Sequence, residues 1–209
     1  MCGIIGYIGK REACPILLDG LKRLEYRGYD SSGISIISPI NSILIKKTAG
    51  KIRHLEEILK NSPLTGSIGI AHTRWATHGS PNRLNAHPHC DCLKEIALVH
   101  NGIIENYHAL KSQLIKEGHV FRSETDSEVI VHLIEKYYKK NVRLEEAVLK
   151  AVGFLKGSFA LAIISKREPH KLVGVRLASP LLIGLGKDEN YLASDAPAIL
   201  DATKEVIFH

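Results

Sequence analysis

Apolar residues fall along this chain in short blocks separated by turn-forming residues, and the blocks change period several times. The first block, Gly3-Ile4-Ile5-Gly6 directly after Cys2, is small and apolar throughout and reads as a buried strand rather than a tail. Ile16, Leu17, Gly20, Leu21 and Leu24 share one face of a helix expected from Glu12 to Leu24, with Gly28 closing the segment. Strands are expected at about 33–38 and 42–48, a short helix near 51–60, and a strand at Ile68–Thr73. Residues 78–93, rich in Gly, Pro, Asn and His, carry no period and read as a long loop of the kind that holds function.

A strand resumes at Ile96–His100, after which Ile104, Tyr107, Leu110, Leu114 and Ile115 mark a helix ending near Gly118. Two more helices are expected at about 126–139 and 143–154, followed by strands at Phe159–Ser165, Lys171–Arg176, Leu181–Leu185 and Tyr191–Ser194. The links between these last strands are too short for the helical crossover of a parallel pair, so the sheets should be largely antiparallel. Ala160–Ile164 and Ile96–Val99 are apolar without alternation, which implies strands covered on both faces and hence stacked sheets sheathed by helices.

At 209 residues, 44% hydrophobic and 24% charged, the chain can bury one sizeable core, and a single domain is the expectation. No run approaches the ~20 apolar residues of a membrane span and no leader-like start is present, so a cytosolic protein with no membrane partner is expected. The abrupt end after Val206-Ile207-Phe208 suggests an excised domain. Cys2, Cys14, Cys90 and Cys92 form no spaced framework and should be free thiols. The net charge of +6 comes from scattered pairs such as Lys22-Arg23 and Lys139-Lys140 without a nucleic-acid recognition signature, so it reads as a solvated basic face and no nucleic-acid partner is expected.

Five places carry candidate chemistry. Removal of Met1 would leave on Cys2 both a thiol and an α-amine, whose usual pKa of about 7.7–8.0 lets it serve as the base for its own side chain. The plain alternative is a buried structural cysteine. The run from Ala71 to Gly79 gathers Arg74, the only tryptophan (Trp75), Thr77 and His78 at a strand end, a set able to hold a small carboxylate. Asn101-Gly102 suggests a hairpin, but a helix pattern follows. That favours a functional turn whose Asn101 amide and Gly102 N–H face an oxyanion. Thr125-Asp126-Ser127-Glu128 fits a capping box, with Asp126 either a first-turn acid or the partner of a substrate ammonium. His87-Pro88-His89-Cys90-Asp91-Cys92 is dense in metal-ligand types, but its spacing does not suit a structural zinc site.

Taken in order, Met1-Cys2-Gly3-Ile4-Ile5-Gly6, Leu24-Glu25-Tyr26-Arg27-Gly28-Tyr29-Asp30-Ser31-Ser32-Gly33, Ala71 to Gly79, Asn85-Ala86-His87-Pro88-His89, His100-Asn101-Gly102-Ile103-Ile104-Glu105-Asn106 and Ser123-Glu124-Thr125-Asp126 resemble the class II glutamine amidotransferases. The resemblance implies an α+β N-terminal-nucleophile hydrolase fold, a four-layer αββα sandwich with two mostly antiparallel sheets. It implies Cys2 as nucleophile on the side-chain amide of L-glutamine, a Cys2 γ-glutamyl thioester, and an oxyanion hole of Asn101 and Gly102. Arg74, Trp75, Thr77, His78 and Asp126 would line the glutamine pocket, Arg27 would support the Cys2 segment, and His87 matches a loop histidine of the family. No cofactor and no metal are implied.

Within the family the segments look most like the branch in which residues 1–209 form the glutaminase domain and two sugar-isomerase domains follow on the same polypeptide, itself a homodimer. There the ammonia would convert fructose 6-phosphate to glucosamine 6-phosphate. The glutaminase domain of an amidophosphoribosyltransferase is the near alternative, less similar in Leu24–Gly33 and His100–Asn106. A non-catalytic zinc- or nucleic-acid-binding module is the alternative of a different class. Cys90-Asp91-Cys92 stands outside the family pattern.

Overall fold

The strands that lack polar alternation form the middle of the molecule. In the computed structural model, which describes residues 2–208, β1 (Gly3–Ile8), β2 (Ser31–Ile37), β3 (Ile43–Ala49) and β4 (Ile68–Arg74) belong to one sheet with β9 (Leu182–Gly186), β10 (Glu189–Ala193) and β11 (Glu205–Phe208). Their order is β11-β9-β10-β1-β4-β2-β3, so the first strand of the chain is central. The second sheet runs β5-β6-β7-β8, formed by His89–Cys90, Ile96–Ile104, Gly157–Ser165 and Leu172–Leu177. Every paired strand in both sheets is antiparallel.

Side-chain alternation sorts each strand's residues between two layers. Ile4 and Ile70 meet Ala97, Val99, Ala160, Ala162 and Ile164 between the sheets, where the small alanines let the two sheets lie close. Ile5, Tyr7, Ile34 and Ile36 point the other way, under α1 (Ala13–Arg23) and α2 (Ile52–Asn61), which contribute Leu17, Leu21, Leu55 and Leu59. On the far side Leu98, Leu161 and Ile163 pack beneath α3 (Tyr107–Lys116), α4 (Glu128–Tyr137) and α5 (Leu144–Val152). The result is the αββα sandwich. No helix among the described residues is long and apolar enough to cross a membrane.

The pattern-based boundaries need correction in four places. Asn101-Gly102 is not a turn: β6 continues to Ile104, with Asn101 opposite Ala160 and Gly102 opposite Phe159, because β7 supplies a ladder partner along its full length. The helix after it therefore starts at Tyr107, and Ile104 is a buried strand residue. The capping box at Thr125 does not form. Thr125 Oγ1 faces Ser123 Oγ and His89 Nε2, while the Glu128 carboxylate accepts from the N–H groups of Arg122 and Ser123, so α4 begins at Glu128. Two short strands, β5 and β11, lie where none was expected.

Candidate active site

The register of the central strands places the site. Gly3 lies opposite Thr73, so Cys2 comes beside the end of β4, where the chain turns at Arg74 and Trp75. Trp75 N–H donates to Cys2 Sγ at 3.3 Å, and the thiol faces Trp75 O at 3.5 Å. The Cys2 carbonyl accepts from Arg27 Nε and from Asn101 Nδ2, each at 3.1 Å. Residue 2 is thus gripped by the segment between α1 and β2 and by a strand of the second sheet. Arg27 itself is buried and ion-paired with Asp195 at 2.6 Å, Tyr26 OH donates to the same carboxylate, and Ser194 Oγ accepts from Ile4 N at 2.9 Å. Burial pushes the Cys2 thiol up from its usual pKa, against lowering by the Trp75 N–H and the Arg74 charge, and Asp126 adds to the rise. The resting group is therefore a thiol that needs a base.

Asn101 is oriented from behind. His72 Nε2 lies 3.0 Å from Asn101 Oδ1 and 3.0 Å from the His100 carbonyl. Both are acceptors, so Nε2 carries the proton, Asn101 Oδ1 is fixed toward the histidine, and Nδ2 is left to point at residue 2. Gly102, next along β6, has φ +131°, and a Cβ there would stand 2.0 Å from Ser158 O. Only glycine fits that position of the strand.

Arg74 lies on the same strand face as His72, and its guanidinium curls back to hold the following loop. Nη2 donates to the His78 and Gly79 carbonyls, and Nη1 to Ser80 O at 3.5 Å. Asp30 fixes the loop's start by accepting from Ala76 N at 2.8 Å. Trp75 is exposed and meets Tyr29 edge-on, Thr77 is exposed, and His78 packs edge-on against Tyr107. Asp126 is buried: Oδ2 accepts from Ile104 N at 2.8 Å and Oδ1 from Ser127 Oγ at 3.3 Å. His100 Nδ1 stands 2.8 Å from Ser127 Oγ and, since that hydroxyl donates to Asp126, His100 is the donor in the next link. The structure thus brings Cys2, Arg74, Trp75, Asn101 and Asp126 together and adds His72, His100 and Ser127, which pattern reading passed over. The only signal for His72 was its i, i+2 spacing from Arg74, which puts both on one strand face.

His87 does not reach Cys2 through any of its contacts. It stacks on His72 with ring centroids 4.2 Å apart, meets His89 at 4.5 Å, and accepts from His100 N at 3.2 Å through Nδ1. Burial pulls the pKa of His72 to about 3, that of His100 to about 4, and those of His87 and His89 well below the usual range. In the unfolded chain these rings titrate near 6.5, so on acidification the unfolded state takes up protons first. Stability is therefore fully present above about pH 6.5 and falls below it, by up to ~1.4 kcal/mol per pH unit for each histidine. Urea midpoints should be level from about pH 7.5 to 6.5 and fall from there toward pH 5; a profile that stays flat below pH 6.5 would contradict neutral burial of the four rings.

A concavity of about 550 Å³ lies elsewhere, lined by Ile8, Leu172, Leu181, Ile183 and Leu192 among others, and includes none of the residues around Cys2.

A four-layer sandwich whose central strand is headed by a cysteine is the architecture of the N-terminal-nucleophile hydrolases. The chain belongs to the glutamine amidotransferase family: residues 72–201 match the model of a glutamine amidotransferase domain. It is 56% identical to the glutamine–fructose-6-phosphate aminotransferase [isomerizing] of Thermococcus kodakarensis over 208 residues, which covers 100% of this chain and 34% of that protein. The protein of the same name from Aquifex aeolicus is also 56% identical, over 99% of this chain and 34% of its own length. The chain thus spans about a third of these relatives. Among solved structures, the glutamine phosphoribosylpyrophosphate amidotransferase of B. subtilis superimposes with a TM-score of 0.82 at 28% identity, over 97% of this chain and 44% of that one. The amidophosphoribosyltransferase alternative therefore fits in fold but stands at half the sequence identity.

Proposed function

We propose that this chain hydrolyses the side-chain amide of L-glutamine to glutamate and ammonia, with Cys2 as nucleophile. The placing of Cys2 carries this reading: its thiol lies against the Trp75 backbone while the amide that grips its carbonyl, Asn101, is itself aimed by His72. Removal of Met1 frees the α-amine, and that amine takes the thiol proton. The sulfur attacks the amide carbon, the carbonyl electron pair moves onto oxygen, and the second N–H of Asn101 Nδ2 with the Gly102 N–H receives the oxyanion. The α-ammonium then passes its proton to the amide nitrogen, the C–N bond breaks and ammonia leaves, so that a γ-glutamyl thioester remains. A water deprotonated by the same amine attacks the thioester, the sulfur departs and is reprotonated, and glutamate is released.

Asp126 is the partner for the substrate ammonium, because its carboxylate has acceptor capacity beyond the Ile104 N–H and the Ser127 hydroxyl. The substrate carboxylate meets the N–H groups of Arg74 that the loop carbonyls leave over, with Thr77 and His78 at the rim and Trp75 as a lid. Asp126→Asn should raise KM for glutamine by about tenfold or more while kcat changes less, since a lost ammonium partner is mostly uniform binding energy. An unchanged KM would remove Asp126 from the pocket.

The reading extends to a longer protein. Because the relatives are named for fructose 6-phosphate and this chain spans 34% of them, sugar-isomerase domains on the same polypeptide, in a homodimer, would use the ammonia on that sugar phosphate. Glutamate release by the purified chain, read together with its intact mass, tests the core of the proposal. Turnover by material that has lost Met1 supports it, and absence of turnover in such material overturns it.

A further inference from the structure

The thiols after His-Pro-His do not act as a local cluster. His89 is engaged by Thr125 and Cys90 lies on β5, but the turn beyond β5 carries Cys92 up to the helices that cover the same sheet. There it meets His119, just past the end of α3, and His132 and Glu135 on α4. Cys92 Sγ is 3.7 Å from His132 Nδ1 and 4.0 Å from His119 Nδ1, and Glu135 Oε2 is 2.8 Å from His119 Nδ1 and 2.9 Å from His132 Nδ1. All four ligand atoms lie within 4.8 Å of one another.

We propose that Cys92, His119, His132 and Glu135 form a structural zinc site. Bond lengths of about 2.3 Å to sulfur and about 2.0–2.2 Å to nitrogen and oxygen make the edges of a tetrahedral zinc site roughly 3.3–3.7 Å long. The spacings here, from 2.8 Å to no more than 4.8 Å, bracket that range, so side-chain adjustments of up to about an ångström close the tetrahedron. The donor set of one thiolate, two imidazoles and one carboxylate suits zinc and not magnesium or calcium, which take oxygen. Four protein donors leave no open position, which is the mark of a structural rather than a catalytic centre.

The surroundings are those of a ligand set. Val120 N–H points at Cys92 Sγ at 3.4 Å, a contact that steadies a thiolate. The other nitrogen of His132, Nε2, has no hydrogen-bond partner although it is fully buried, and it faces Glu128 Oε1 at 3.7 Å. A carboxylate behind the second nitrogen is what orients a metal-bound histidine. Glu128 is in turn fixed by Ser123 N, Ser123 Oγ and Arg122 N. On the cysteine side, Asp91 Oδ1 accepts from Glu95 N at 2.7 Å and Ile96 N at 2.8 Å, which shapes the turn that presents Cys92. The metal would staple that turn and the α3–α4 connection to α4, the helix that follows Asp126 and Ser127.

The test uses the purified chain stripped with a chelator and titrated with Zn²⁺ against a chromophoric competitor. One tightly held equivalent is expected, with a rise in Tm that the chelator reverses. Co²⁺ in its place should give a thiolate charge-transfer band. Both signals should disappear in Cys92→Ser and in His119→Gln, checked as folded by circular dichroism, and persist in Cys90→Ser. The two variants guard against one simply failing to fold. Absence of stoichiometric Zn²⁺ binding, or binding that survives in both folded variants, overturns the site.

Discussion

Cys2→Ala is expected to bring glutamate release down to background while the Tm and the circular dichroism spectrum stay near those of the parent. The side chain contributes little to the fold: what the substitution removes is the sulfur's contact with the Trp75 backbone, whereas the clasp on residue 2 runs through its carbonyl, which alanine keeps. On the proposed mechanism catalysis depends on this sulfur, and no other thiol among the described residues is near the site. Cys14 is buried in the first turn of α1, burial pushes the Cys90 thiol up to about 12, and Cys92 faces the His119–Glu135 cluster. An electrophilic glutamine analogue should accordingly label Cys2 in preference to the other three. Glutamate release above about one percent of the parent rate would sink the nucleophile assignment, because loss of a covalent nucleophile removes far more than a hundredfold.

Asn101→Asp should lower kcat by about 10²–10³ and leave KM within a few-fold, the loss expected for one oxyanion donor. The change is nearly isosteric, and the oxygen facing His72 Nε2 is retained, so the backbone of β6 has no cause to move. What disappears is the N–H donor aimed at residue 2, replaced by an acceptor with a negative charge where charge must develop. A matching loss in KM, or no loss at all, would move Asn101 from the chemistry to a purely supporting place. His72→Gln gives a graded companion, since it disturbs the aim of Asn101 without removing its donor.

How much of this was legible in the chain depends on how local the cause is. The sandwich was readable because Ala160–Ile164 and Ile96–Val99 are apolar on both faces, and no single-layer arrangement covers such strands. Asn101-Gly102 misled because a two-residue turn signal is local, whereas its actual conformation is set by β7, more than fifty positions later. Thr125 and Glu128 have the spacing of a capping box, yet tertiary partners, His89 for one and the Arg122–Ser123 backbone for the other, take both side chains. The proposed pocket residues in Ala71–Gly79 are contiguous, so one stretch of sequence names them together. His72, His100 and Ser127 come from three elements, and nothing in their spacing announces that one aims Asn101 and the others brace Asp126. Likewise Cys92 was visible as an oddity, but its partners at 119, 132 and 135 belong to a different layer.

The central position of β1 has a consequence in time. Its partner β10 comes from the opposite end of the chain, with Ile5 beside Ala193, and the Ser194 and Asp195 contacts that clasp the first residues lie just beyond. At synthesis rates of about 5–20 residues per second, some ten to forty seconds pass between the emergence of Cys2 from the ribosome and that of β10. During that interval Cys2 has no β10 to pack beside, and on the proposed mechanism this is when an aminopeptidase would trim Met1, before the proposed oxyanion donor and ammonium partner gather around the thiol. A ribosome-bound chain halted before residue 189 should therefore already be trimmed yet inert. On the proposed mechanism the nucleophile is made first and armed last.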